Sequence, residues 1–150
     1  MKIKPKYQTI TINQLKWVLD PLAINGEHLV TYHEAKDYAD KNGLKLPTQK
    51  QFAEFVNVNK IYDKVNNGVW INPYDISKEF INTENALFLP YLGYINLFNQ
   101  LKDYKKCAAF WTGDEKLNDQ APYKVIYFSE MAFTNGYSNV GFKFQALFIL

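Results

Sequence analysis

Two helix starts stand close together in this chain, and they limit its fold more than any other feature. Thr31-Tyr32-His33-Glu34 is a capping box, in which the Thr31 hydroxyl can accept from the Glu34 amide while the Glu34 carboxylate reaches back. Tyr32, Ala35, Tyr38 and Ala39 follow at helical spacing, and Asn42-Gly43 ends the run with a residue suited to a left-handed cap. Thr48-Gln49-Lys50-Gln51 is a second box after Pro47, with Phe52, Phe55 and Val56 as its apolar face. Two short one-sided helices joined by Gly43-Leu44-Lys45-Leu46-Pro47 must cover something, most simply a sheet.

The rest of the chain supplies short strands. Gln8 to Ile12 alternates polar and apolar residues, and Leu15 to Leu22 is apolar-rich up to Asp20-Pro21. From Asn57 to about Phe110 the pattern is irregular. It holds a turn at Asn66-Asn67-Gly68 and short apolar runs at Val69-Trp70-Ile71 and Leu87-Phe88-Leu89. Ala108 to Thr112 reads as a strand, Asp114 to Pro122 as a polar loop, and Lys124 to Phe128 and Gly141 to Leu150 as strands around a turn at Asn135-Gly136. The end is apolar on both faces after Ala146, which predicts a central strand. Trp70 and Trp111, mid-strand aromatics, are expected in the core. With 150 residues, no repeat and no linker, residues 1–150 read as a single α+β domain.

Composition excludes several functions. All 17 cationic side chains are lysines, so no guanidinium fork is available for phosphate or guanine. Net charge is only +2 and the lysines read as scattered, which argues against nucleic acid and against a membrane surface. No apolar stretch reaches membrane-spanning length and no secretory signal is evident, so no membrane insertion is expected. The single cysteine, Cys107, allows no intramolecular disulfide or thiolate zinc site, and its apolar neighbours predict a buried small hydrophobe. His28 and His33 are five apart, not at the helical ligand spacing. Asp114, Glu115, Asn118 and Asp119 crowd oxygen ligands into one loop but lack an EF-hand's spacing and glycine, so a solvated loop is expected. Nothing in the sequence places the acid pairs Asp37/Asp40 or Glu79/Glu84 in a cleft, and Asp37 and Asp40 are expected on the wet face of a helix. No cofactor or metal site is expected.

Four segments carry a resemblance to a known group. Leu44-Lys45-Leu46-Pro47-Thr48-Gln49-Lys50-Gln51-Phe52-Ala53-Glu54-Phe55 resembles the "R-L-P-T-E-A-E-W-E-Y" segment of formylglycine-generating-enzyme-like proteins. Leu87-Phe88-Leu89-Pro90-Tyr91-Leu92-Gly93-Tyr94 resembles the "F-L-P-A-x-G-Y" segment of Fibrobacter-type paralogous domains. Phe110-Trp111-Thr112-Gly113 resembles their "Y-W-T-S", and Val140-Gly141-Phe142-Lys143-Phe144-Gln145 their closing "V-G-F-x-V-R". The resemblance implies a C-type-lectin-like fold, with two short helices packed on a small, twisted, mostly antiparallel sheet bearing long loops. It implies that the first and last strands pair. The group's enzymes use a cysteine pair with copper, and Cys107 has no such partner, so that activity does not carry over. The calcium-lectin "E-P-N" and "W-N-D" segments are missing too.

What remains is a set of tyrosines among asparagines and serines near the C-terminus, the chemistry of adaptable recognition. The candidate ligand-binding residues are Asp114, Asn118, Tyr123, Asn135, Tyr137 and Asn139, on loops Asp114–Tyr123 and Met131–Asn139 expected at one end of the domain. The reading is a non-enzymatic recognition or assembly module on a virion or cell surface, binding a protein or glycan. Other virion proteins and a second copy of the chain are further candidate partners. The alternatives are a purely structural virion subunit and a divergent enzyme without the cysteine pair.

Overall fold

A computed structural model describes residues 7–12, 14–18, 23–53, 59–72, 86–127 and 133–150. Both capping boxes form. Helix α1 (Tyr32–Asn42) starts at Thr31, whose hydroxyl accepts from the Glu34 amide at 3.3 Å while the Glu34 carboxylate accepts from the Thr31 amide at 3.1 Å. It ends at Gly43, held at φ +66°. Tyr32, Ala35 and Ala39 face inward, while Lys36–Asp40 and Lys41–Asp37 pair on the wet face. Helix α2 (Gln49–Ala53) is closed by the reciprocal Thr48–Gln51 bonds at 2.8 and 3.1 Å. Its buried anchor is Phe52; Phe55 and Val56 lie outside the described residues, as do Asp20, Pro21, Glu79 and Glu84.

The strands pair antiparallel in small sheets. A hairpin joins β1 (Thr9–Ile12) to β2 (Leu15–Val18). Then come β3 (Asn59–Asp63), β4 (Gly68–Asn72) and β5 (Leu87–Pro90), in that order across one sheet. A second hairpin pairs β6 (Tyr94–Ile95) with β7 (Leu101–Lys102). The last sheet has the order β10 (Phe133–Asn139), β9 (Gln120–Tyr127), β8 (Cys107–Trp111). The class is α+β, as the sequence predicts.

The chain end is the centre of the molecule. Residues Phe144 to Ile149 are all buried. They lie parallel to β8, with Gln145 N–H donating to Ala109 O at 2.9 Å and Trp111 N–H to Gln145 O at 3.3 Å. Together β8 and this segment form a wall with a core on each side. Cys107, Ala109, Trp111, Phe144, Ala146 and Phe148 face the core under α1. Ala108, Phe110, Leu147 and Ile149 face the other, which Phe52 of α2, the β1–β2 hairpin and β4–β5 close. The Trp111 indole N–H donates to Val30 O at 2.8 Å, so its burial leaves no donor unpaired.

Several expectations are corrected. The chain end makes isolated bridges in place of one ladder, because its neighbour changes from Ile95 to Val30, β8, Lys45 and β2 along its length. It meets the second strand of the first hairpin, through Val18 N–H to Phe148 O, and not the first strand. Asn135-Gly136 is no turn; it lies mid-β10, opposite Lys124 and Tyr123. A Cβ at Gly136 would come within 2.6 Å of the Tyr123 ring, so this glycine supplies room for a side chain. The loop after Asp114 ends at Asp119, since Gln120 to Pro122 already belong to β9. Trp70 is half-buried: Val69 and Ile71 take the inward positions of β4, and strict alternation turns Trp70 outward. There it packs on Phe88 at 4.7 Å and donates to Asp63 at 3.1 Å. The Asn66 side chain and amide, with that indole, hold the Asp63 carboxyl below its usual range.

Candidate functional site: an aromatic cleft

Beside the β10 end of the last sheet lies a cleft of about 380 Å³. Tyr94 of β6, Tyr123 and Val125 of β9, Tyr137, Ser138 and Asn139 of β10, and Phe142 and Phe144 line it. The positions follow from strand alternation. Tyr123 and Val125 share one face of β9, and Phe142 and Phe144 are two apart on the chain end. Phe144 is the floor, with Trp111 beneath it at 4.4 Å between ring centroids. Tyr123 leans on it at 5.1 Å, and Tyr94 meets it edge-on at 5.7 Å. Tyr94 and Phe142 lie nearly parallel, with 10° between planes and 6.0 Å between centroids. Every floor ring is therefore held by another ring, which fixes the cleft's shape without a ligand.

No lining side chain is charged. Burial, followed by the nearby Asp103, Cys107 and Tyr123, raises the Tyr94 hydroxyl above its ordinary value, so it is a neutral donor and acceptor at physiological pH. Tyr137, 45% exposed, forms the outer rim with Ser138 and Asn139. An apolar, ring-lined concavity with a few hydroxyl and amide groups is the usual make-up of a binding cleft. A larger groove of about 560 Å³ runs along α1 and residues 44–48. Lys36 and Asp40, which line it, bond each other at 2.8 Å, and this leaves little polar demand for a ligand to satisfy.

Of the six candidate residues, Tyr123, Tyr137 and Asn139 meet at the aromatic cleft. Asn139 also accepts from the Gly141 amide at 2.8 Å, which bends the chain from β10 toward Phe142. Asp114 is elsewhere. Its carboxylate accepts from the Gln49 amide at 2.6 Å and the Thr112 hydroxyl at 2.8 Å, and so anchors the loop to the first turn of α2. It also faces the buried Lys124, whose ammonium is lowered by burial and raised less by the Asp114 charge. Asn118 sits exposed in the turn closed by Leu117 and Gln120, at φ +50°, a conformation asparagine tolerates well. The backbone of Asn135 pairs with Lys124, and its side chain lies outside the described groups, as do Met131 and Ala132. Residues 120–122 and 133–139 are adjacent strands, where the sequence predicts neighbouring loops.

Sequence reasoning missed Tyr94, Val125, Phe142 and Phe144, while Ser138 falls within the expected Met131–Asn139 segment. Two of the quoted resemblance segments contain three of the missed residues: Leu87 to Tyr94 ends on Tyr94, and Val140 to Gln145 holds Phe142 and Phe144, whose period of two was the available signal.

Groups for covalent or metal chemistry do not gather at the cleft. The Cys107 thiol is fully buried and pushed up to about 12, first by burial and then by the Asp103 charge. His28 and His33 are exposed on the surface around the α1 start. Among the described residues, no group of three or more His, Cys, Asp and Glu side chains is placed to hold a metal ion. Comparison with protein families, with curated proteins and with solved structures finds no match to this chain.

Proposed function

We propose that this chain is a non-enzymatic recognition module of C-type-lectin-like fold that holds a protein or glycan ligand in the aromatic cleft, as a component of a phage virion or bacterial surface. The observation that carries the reading is the convergence of Tyr94, Tyr123, Tyr137 and Phe142 around a preformed, uncharged cleft rimmed by Ser138 and Asn139. Rings of this kind offer large rigid contact area, and the rim offers hydrogen bonds without a fixed charge to satisfy. Asp114 and Asn118 leave the ligand set in this reading, since one anchors α2 and the other shapes a turn.

The test is a screen of immobilised glycans and cell-surface proteins, repeated with Tyr137→Ala and Tyr94→Phe. The expected result is a ligand whose affinity falls at least about tenfold with Tyr137→Ala, some 1.4 kcal/mol, at an unchanged melting temperature. Equal binding by the Tyr137→Ala variant removes the cleft from the reading. Failure of every probe, together with concentration-dependent assembly of the chain alone, supports a structural subunit instead.

A further inference from the structure

A second surface stands apart from the cleft. The β6–β7 hairpin projects a tip, Asn96 to Gln100, that is fixed by its own bonds. The Asn96 side chain accepts from the Phe98 and Gln100 amides at 2.9 and 3.0 Å and donates to the Gln100 side chain at 3.0 Å. Its base is equally set: Gly93, at φ +69°, leaves no room for a Cβ against the Lys102 carbonyl. This stiff hairpin shows apolar side chains to water. Phe98 is 83% exposed and Leu97 55%, with Leu101 and Tyr104 about half exposed behind them. One exposed phenylalanine alone is ordinary, but four exposed apolar or aromatic side chains grouped on one hairpin and the turn behind it make the kind of patch that marks a contact site.

The charges beside the tip say what it meets. Residues 102–106, Lys-Asp-Tyr-Lys-Lys, carry three exposed lysines against one aspartate, a surplus as large as the whole chain's net +2. Lys105 lies over the Tyr104 ring at 5.6 Å, so aromatic and cation are presented together. Lys102 pairs with Tyr94 at the start of the ladder and Leu101 with Ile95, placing the tip about three strand residues, or about 10 Å, beyond Lys102, with Lys105 and Lys106 in the turn that follows β7. Interfacial segments bury apolar side chains about 5–10 Å below lipid headgroups, with lysines left at headgroup level. A two-fold contact between copies through the same tip would instead set these lysines against one another.

We infer that the β6–β7 hairpin is a membrane-docking element, which dips Leu97 and Phe98 into an anionic lipid surface while Lys102, Lys105 and Lys106 engage the headgroups. The scattering of lysines along the sequence argued against such a surface. Three of them nevertheless fall within one five-residue span, 102–106, just behind an exposed apolar tip, and no spanning segment is required.

Vesicle co-sedimentation of the full chain tests this. Vesicles of phosphatidylcholine with 30%, roughly, phosphatidylglycerol should pull down the protein, and pure phosphatidylcholine at least tenfold less, with binding lost at high salt. Leu97→Ser/Phe98→Ser should reduce binding at least tenfold, and Lys105→Gln/Lys106→Gln several-fold. These side chains are exposed, so melting temperatures should not change. A Leu97→Trp variant should shift its fluorescence to the blue on anionic vesicles only. No binding to anionic vesicles, or binding that ignores the serine substitutions, overturns the proposal. Vesicle-independent self-association that Phe98→Ser abolishes also overturns it and assigns the tip to a second copy.

Discussion

Strand β9 has a neighbour on each side, and the two treat their side chains differently. β8 buries all five of its residues, alternating between two cores. β10 is the edge of its sheet; it exposes Tyr137, sets a glycine beneath the Tyr123 ring and borders the cleft. The backbone ladders are alike, so hydrogen bonding does not separate the two flanks. What separates them is cover: β8 has the chain end, α1 and Phe52 of α2 packed about it, whereas β10 borders the cleft and meets α2 at the Gln49 side chain, which donates to Gly136 O at 3.3 Å. Stability should therefore reside on the β8 flank and recognition on the β10 flank.

The largest effect should come from β8. Phe110 is fully buried, stacked on Phe52 of α2 with 5.6 Å between centroids, and it faces the core that both hairpin and helix close. Phe110→Ala should cost about 3–5 kcal/mol in denaturant unfolding, the range for a large-to-small change in a core that cannot collapse. A loss below about 1 kcal/mol would mean that the wall between the cores is not what holds the fold.

On the β10 flank the steepest cost should come from adding an atom. Gly136→Ala drives a Cβ into the Tyr123 ring, which must swing off Phe144 to make room. The expected cost is about 1–3 kcal/mol, and cleft binding should fall with it. In the Tyr123→Ala background the same change should cost little, since the ring is gone. Additive costs in that double-mutant cycle would show that the glycine is kept for another reason.

How far the sequence foretold this difference depends on how local each signal was. Thr31 with Glu34 and Thr48 with Gln51 are complete within four residues, so both helix starts were legible. The two-faced chain end was legible as an apolar run, but its partners were not, because they come from five separate places in the chain. Asn135-Gly136 carried a strong turn signal, and the contact that overrides it lies across the sheet at Tyr123. β3, Asn-Lys-Ile-Tyr-Asp, has too little alternation to announce a strand; pairing with β4 makes it one. Tyr137 and Asn139 are legible from composition, while Tyr94 and Phe142 need the fold to bring their rings to 6.0 Å of each other.

A pH series sharpens the comparison from the β8 side. The Cys107 thiol is pushed up to about 12 in the fold by burial and Asp103, whereas in the unfolded chain it titrates near about 8.5. Above that pH the unfolded state has lost a proton that the folded state keeps. The thiol's contribution is therefore whole below about pH 8.5 and is lost as the pH rises toward 12. Relative to Cys107→Ala, the native chain should lose about 1–2 kcal/mol between pH 8 and pH 10. A pH-independent difference, or rapid alkylation of the native thiol at pH 8, would place Cys107 in an open site.

The smallest effect on the fold should be Tyr137→Ala, and its smallness is the point. The side chain is 45% exposed, on an edge strand, opposite Pro122, and the wall between the cores does not include it. Removing it costs strand preference and a little packing, under about 1 kcal/mol. Its loss should nonetheless open the outer rim of the cleft, where a ligand would lie against the ring. Paired measurements on one variant decide the matter: a melting temperature within about 4 °C of the native chain, and affinity lower by at least about tenfold. Were the melting temperature to fall as far as for Phe110→Ala, Tyr137 would be part of the scaffold, and the division between the two flanks of β9 would fail at the residue chosen to show it.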